Sequence, residues 1–384
     1  MTQKRYLEST IREFLHSRMV FIGGPRQVGK TTLALSFLTP PKLSNPAYLN
    51  WDDLHSRSLL KKGELPNSKI ILIDEVHKFA GWRGLVKGFY DKRKESQKFV
   101  ITGSARLDHY RRGGDSLLGR YRYVRLHPFT PAELGTVSKS DLSHLLHFGG
   151  FPEPFLLGND KALKLWHKER VYRIVNDDIR NLENLREYSS IELLADALPE
   201  RAGSILSVNS IAEDLSVNYR TAESWIKILE QIYYCFRVAP YGTPKFRAVK
   251  KEKKLFLWDW SCIESEGARF ENLVASQLLQ YCHFHEDTAG EEMELRFIRD
   301  AQKREVDFVV LKNRKPLFAV ECKAGEKACS PHLRYFKERT PIPFFYQVHQ
   351  GSKDYIAEDR IRVLPLLTFC REVLQLYPFT GSPG

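Results

Sequence analysis

Residues 24–31 read Gly24-Pro25-Arg26-Gln27-Val28-Gly29-Lys30-Thr31, a complete G-x-x-x-x-G-K-T phosphate loop of Walker A type. The apolar run Met19-Val20-Phe21-Ile22 precedes it, and a helical pattern from Thr32 to Leu38 follows. Strand, glycine-rich loop and helix in that order predict a nucleotide site. Loop N–H groups and the positive end of the helix dipole cradle phosphate oxygens. Lys30 is expected to reach the β- and γ-phosphates, and the Thr31 hydroxyl to hold Mg²⁺. Gly24 to Thr32 is therefore the expected ATP-binding segment.

Outward from the loop, Ile70-Ile71-Leu72-Ile73-Asp74-Glu75 reads as a strand buried on both faces with two acids at its C-terminal end. Ligands bind at that end of open α/β sheets. Asp74 is expected in the Mg²⁺ shell and Glu75 as the base that polarises the attacking water. A further strand, Lys98-Phe99-Val100-Ile101, ends in Thr102-Gly103-Ser104. Thr102 or Ser104 can bridge water and γ-phosphate there, or cap the next helix. Arg120, before the strand-like run Tyr121 to Leu126, is a candidate for stabilising the transferring phosphate, in cis or from a neighbouring subunit. A surface role for Arg120 competes with that one.

The chain has 384 residues, 42% of them hydrophobic and 12% aromatic, which suits two or three folded domains rather than disorder. No stretch approaches the roughly 18–20 apolar residues of a membrane span. Met1-Thr2-Gln3-Lys4-Arg5 lacks a signal-peptide core, so a cytoplasmic protein is expected. Six cysteines, with no C-x-x-C pair, read as reduced and buried rather than as zinc ligands or disulfides. The formal net charge of +12 favours a polyanion partner, with a plain basic protein as the alternative.

The expected fold class is α/β. A P-loop parallel-sheet ATPase core fills 1–130, and a helical lid beside the ATP site fills 131–207. A winged helix spans 208–255, and an α/β restriction-endonuclease-like domain spans 256–384. The core strands are expected at Met19–Gly23, Ala47–Asn50, Ile70–Asp74, Phe99–Thr102 and Tyr121–Leu126. In the winged-helix segment, Asn209 is expected to cap Ser210–Leu215. A second helix, Tyr219 to Ile232, carries Trp225, Ile228, Leu229 and Ile232 on one stripe. Arg220 and Lys227 are expected to face a groove, and the run Lys245, Arg247, Lys250, Lys251, Lys253 and Lys254 to meet phosphate. Glu223 and Glu230 on the same helix count against that. Packing or oligomer contact is the competing role.

The last third has its own acids. Glu271 opens a helical pattern, Asp307 lies on the strand Arg304 to Leu311, and Glu321-Cys322-Lys323 ends another strand. Alternation puts Glu321 and Lys323 on one face. Asp307 and Glu321, with Glu271 nearby, can hold a divalent metal, while Lys323 orients a water or neutralises charge. This Glu…Asp…Glu-x-Lys order is that of restriction-endonuclease-like cores. An active nuclease, a nuclease fold kept for DNA binding or assembly, and solvated strand ends are the readings it allows.

The motifs Gly23 to Thr32, Ile73-Asp74-Glu75, Ile101-Thr102-Gly103-Ser104, Gly149-Gly150-Phe151-Pro152-Glu153, Phe270-Glu271-Asn272, Glu305-Val306-Asp307-Phe308 and Glu321-Cys322-Lys323 together resemble one family over nearly the whole chain. It comprises bacterial and archaeal ATP-binding proteins in which an AAA+-type ATPase domain is fused to a C-terminal domain of unknown function. The resemblance implies an ATPase core, a winged helix and a restriction-endonuclease-like fold. Three functions are then open. The first is a motor or remodeller acting on duplex or branched DNA, such as a branch-migration enzyme, built as a homo-oligomer without membrane contact. The second is an ATP-regulated, metal-dependent nuclease. The third is a nucleotide-dependent signalling switch.

Overall fold

The structure is a computed structural model. It describes residues 4–94, 96–103, 117, 119–135, 138–174, 188–242 and 253–376. Ser104, Lys245, Arg247, Lys250, Lys251 and the tail from Thr380 lie outside the described residues. The chain forms two units, Met1–Pro128 and Phe129–Gly384.

The first unit is built on a parallel sheet of β1 (Met19–Gly23), β2 (Tyr48–Asn50), β3 (Ile70–Asp74), β4 (Lys98–Thr102) and β5 (Tyr121–Arg125). Helices α1 (Glu8–Phe14), α2 (Lys30–Leu35), α3 (Leu54–Lys62) and α4 (Trp82–Lys92) connect or flank the strands. The spatial order is β2-β3-β4-β1-β5. Every strand expected here forms, with ends moved by one residue or less. The central strands are buried because helices cover both faces of such a sheet, which is why they read as unbroken apolar runs. Phe21, Ile71, Ile73, Phe99 and Ile101 share one core with Trp82, Val86 and Phe89 of α4. The order places β4 between β1 and β3, so the tip of β4 lies between the phosphate loop and Asp74. Arg5, ahead of α1, is buried and donates to the carbonyl of Val28 in the loop (2.8 Å) and to that of His127 beyond β5 (2.5 Å).

The second unit takes in the segments expected as lid, winged helix and C-terminal domain. It starts with α5 (Lys139–Phe148), α6 (Pro152–Leu157), α7 (Asp160–Arg173) and α8 (Tyr188–Ala197). These helices are fastened to the turn Trp260–Cys262. Trp260 donates its indole N–H to the Leu145 carbonyl (3.0 Å). Trp166 and Arg170 both donate to buried Asp259 (2.8 Å each). Next come α9 (Val208–Asp214), capped by Ser207 rather than Asn209, and α10 (Tyr219–Gln231), capped by Asn218. The antiparallel pair β6 (Cys235–Pro240) and β7 (Lys254–Leu257) follows. Ile205 bridges to Lys254 on the other edge of β7.

The rest is a helix, three antiparallel strands, a helix and a parallel strand. These are α11 (Glu266–Ala289), β8 (Met293–Arg299), β9 (Glu305–Lys312), β10 (Lys315–Lys323), α12 (Pro331–Arg339) and β11 (Phe345–His349), with β12 (Tyr355–Glu358) and β13 (Ile361–Pro365) extending the edge. One sheet runs β12-β13-β11-β10-β9-β8-β6-β7. The expected boundary at 255/256 therefore falls inside β7, and β6 pairs directly with β8. None of the six cysteines, all among the described residues, is in a disulfide. No helix among the described residues is long and apolar enough to cross a membrane.

Candidate functional site

The phosphate loop owes its shape to backbone that other residues resist. Gly24 has φ +128° and Gly29 has φ +94°. A Cβ on Gly24 would meet the Leu126 carbonyl oxygen at 2.3 Å. Lys30 is buried at the start of α2 and donates to the loop carbonyls of Gly24 (3.0 Å) and Pro25 (2.6 Å). The ammonium is thus held over the loop it is expected to serve.

Asp74 is the hub. It is 4% exposed, at the end of β3. Its Oδ2 accepts from the Thr31 hydroxyl (2.8 Å) and the Tyr48 hydroxyl (3.1 Å), and its Oδ1 accepts from Thr102. The register aligns Asn50, Asp74 and Thr102 across β2, β3 and β4. Burial and the Asp74 charge push the Tyr48 phenol well up, so it stays a donor. A hydroxyl beside a carboxylate is the hard oxygen donor set that Mg²⁺ takes, and Thr102 and Tyr48 orient the carboxylate from behind. The residues present fit the ion.

Glu75 follows in a left-handed conformation (φ +57°) that turns its carboxylate off the strand line. Its pKa is raised by burial, then by Asp74, against the lowering pull of Lys78, Lys30 and Arg26. A carboxylate whose pKa is raised by burial at a strand tip suits a general base. Lys78 Nζ lies 3.6 Å from it and 2.5 Å from Asp52.

Arg120 is not brought to this group. It precedes β5 at the N-terminal end of the sheet, where its carbonyl accepts from Met19 N (3.0 Å) and its side chain pairs with Asp91 (2.9 Å). The strand registers Met19–Tyr121 and Gly23–Arg125, so Arg120 sits roughly 15–20 Å from the loop at about 3.3 Å per residue. A cis role at the phosphate is therefore excluded by the parallel register.

In the second unit the expected acids do converge. Asn272 donates to the Leu257 carbonyl (2.7 Å) and accepts from its N–H (2.8 Å), docking α11 onto β7. That contact puts Glu271 against Lys254, at 3.0 Å. Lys254 Nζ also meets Glu305 (2.5 Å) and Asp307 (3.4 Å). Asp307 accepts from the Cys322 N–H (2.8 Å), and Glu321 accepts from Lys323 (2.7 Å). Burial first, and Asp307 second, push Glu271 up to about 8 and Glu321 up to about 7.

Lys254 is 3% exposed, so it is not part of a phosphate-facing basic run. A metal does not fit these acids as they stand, because an ammonium lies among them. Among the described residues no three Asp, Glu, His or Cys side chains are gathered closely enough to hold an ion. Glu305 and Lys254 join this centre beyond the residues that the sequence pattern marks for it. Alternation from Asp307 would have found Glu305; nothing local marks Lys254 as buried.

Residues 16–135 match the family model of an AAA domain, 139–265 a domain of unknown function (DUF8612), and 266–369 another (DUF4143). With the geometry above, the first unit carries an AAA-type ATPase domain. An uncharacterised protein of Mycobacterium tuberculosis is 23% identical over 67% of this chain and 58% of its own length. One of Methanocaldococcus jannaschii is 22% identical over 82% of this chain and 80% of its own. The chain thus spans about three fifths of the length of the mycobacterial relative.

Among solved structures, AMPPCP-bound DnaA from Aquifex aeolicus is 18% identical, covering 59% of this chain and 86% of that one with a TM-score of 0.30. The Thermotoga maritima RuvB Holliday junction branch migration motor is 19% identical, covering 61% and 86% with a TM-score of 0.26. At those scores neither likeness bears on function.

Glu75→Gln should retain nucleotide yet lose at least about 10²-fold in phosphate release. Lys30→Ala should lose turnover to a similar extent and weaken binding as well. Fluorescent-nucleotide titration beside a phosphate assay separates the two, and an unchanged Glu75→Gln rate would remove Glu75 from the chemistry. For Glu321, the folded pKa lies above the ordinary 4.5. The stability tied to its protonated form is complete below about 4.5 and is lost as pH rises through about 7. Denaturant midpoints should therefore shift in favour of Glu321→Gln relative to wild type between pH 5 and pH 8. A pH-independent difference would contradict the assignment.

Proposed function

We propose that this chain hydrolyses ATP to move or reshape duplex or branched DNA, as a homo-oligomer. The single observation that carries the hydrolytic half is the joining of Lys30, Thr31, Asp74, Glu75 and Thr102 at one end of the sheet. Lys30 and the loop N–H groups bind the triphosphate, and Glu75 takes the proton of the attacking water. Thr102 and Tyr48 hold Asp74 in place. Mg²⁺, when bound through Thr31 and Asp74, supplies charge neutralisation at the β- and γ-phosphates. Arg120 enters this scheme only in trans, at a neighbour's site.

The DNA half rests on reading α9 and α10 with β6, β7 and the Ile205 bridge as a winged helix, a reading that the antiparallel β6–β7 pair after the two helices supports. On α10 the acids that argued against a groove contact turn inward. Glu223 and Glu230 both bind buried Arg237 of β6 (2.8 Å each). Arg220, Ser224, Lys227 and Gln231 remain on the exposed stripe. A net charge of +12 supports the same partner. The nuclease reading is favoured by one observation, the convergence of Glu271, Asp307, Glu321 and Lys323 on a helix–three-strand–helix–strand core. It is opposed by Lys254 at the centre.

Duplex, forked or four-way DNA should raise the ATPase rate several-fold, with an effect that fades as salt rises. Arg220→Glu with Lys227→Glu should raise the DNA concentration for half-stimulation at least tenfold. A rate indifferent to every DNA form would end the motor reading, and tight nucleotide retention without DNA affinity would favour the switch.

A further inference from the structure

We propose that Lys254 occupies, as a built-in cation, the position a divalent metal would need in the C-terminal acid centre. The cluster is then a lysine-neutralised one that takes a metal only when that lysine is lost. This inference concerns the second unit alone and stands independently of the ATPase reading.

An ammonium has three N–H donors and no acceptor. The Lys254 ammonium meets three carboxylates, Glu271 at 3.0 Å, Glu305 at 2.5 Å and Asp307 at 3.4 Å. Those distances are hydrogen-bond distances. A divalent ion sharing the same oxygens at about 2.0–2.6 Å would lie almost in contact with the ammonium. Two like charges that close, in a site from which water is largely excluded, repel strongly.

Lys254 also has no easy retreat. Its strand is clamped on both edges. Val238 pairs with it from β6. On the other side, Leu206 N donates to the Lys253 carbonyl (2.9 Å), Leu255 N to the Ser204 carbonyl (2.9 Å), and Gly203 N to the Leu255 carbonyl (2.8 Å). Asn272 fixes Leu257 three residues on. The side chain therefore enters the acid cluster from a fixed backbone.

The same centre keeps an unspent ligand. Glu321 is 5% exposed, and its Oε2 is buried with no hydrogen-bond partner among the described residues. Its other oxygen is held by Lys323 (2.7 Å). A buried carboxylate oxygen left unpaired is costly and uncommon. Once the ammonium is gone, Glu271, Glu305 and Asp307 are left without their shared cation, and a divalent ion such as Mg²⁺ or Mn²⁺ that draws these oxygen donors together can replace it.

The test is Mn²⁺ binding by the nucleotide-free full chain near pH 8, followed by electron paramagnetic resonance or calorimetry. Every arm carries Asp74→Asn so that the Thr31–Asp74 site does not contribute. With Lys254 in place, no Mn²⁺ binding that depends on Asp307 is expected. Lys254→Met should gain one Mn²⁺ per chain, at least tenfold tighter than any binding before, and Lys254→Met with Asp307→Asn should lose it. A folded Lys254→Met that gains no site would overturn the proposal. So would Asp307-dependent Mn²⁺ binding, or Asp307-dependent cutting of DNA or RNA, with Lys254 present. Those last two arms need no Lys254 variant, so they decide the matter even where Lys254→Met does not fold.

Discussion

A carboxylate buried at the end of β3 sets the terms for the first unit. Asp74 is out of water, and a buried carboxylate must be met by donors or be neutralised. Its donors come from three places: Thr31 on α2, Tyr48 on β2 and Thr102 on β4. They reach it only if β2, β3 and β4 are in register and α2 starts where the loop ends. The same contacts that stabilise the sheet end therefore assemble a hydroxyl, a carboxylate and an ammonium around one point. Fold and site are one constraint there. Arg5 adds to it by tying the back of the loop, at Val28, to the chain beyond β5.

The second unit uses buried cations in the same manner. Arg237 joins α10 to β6 through two carboxylates, Arg170 joins α7 to Asp259, and Lys254 joins β7 to α11 and β9. Buried ion pairs of this kind contribute little net stability, because desolvation offsets much of the attraction. Breaking one is expensive, however, so each fixes which element docks where. That explains why the helix pair, the strand pair and the C-terminal core form one continuous sheet system rather than beads on linkers.

Much of the first unit was legible because its central strands carry buried apolar runs and its loop needs glycine at defined places. The spatial order was not legible. Ile70–Ile73 and Phe99–Ile101 are equally apolar, and nothing in either says which lies beside β1. Residue type makes Arg120 a candidate phosphate contact, whereas strand direction carries it to the far end of the sheet. In the second unit, Glu271, Asp307, Glu321 and Lys323 were readable from alternation and order. By sequence Lys254 belongs with its basic neighbours, because burial changes at a single residue and only the pairing of β6, β7 and Ile205 determines where. Glu223 and Glu230 looked like groove acids for a similar reason: their partner, Arg237, lies on the next strand.

The central claim is that Asp74 and Thr31 jointly seat a magnesium ion against a nucleotide held by the loop. Equilibrium ATP binding with Mg²⁺ and with a chelator, for wild type and Asp74→Asn, tests it most directly. The account predicts that Mg²⁺ tightens binding to wild type at least tenfold and leaves Asp74→Asn almost unaffected, about 1.4 kcal/mol or more of coupling that disappears with the carboxylate. Equal Mg²⁺ dependence in the two proteins, or no nucleotide binding by wild type, would contradict it.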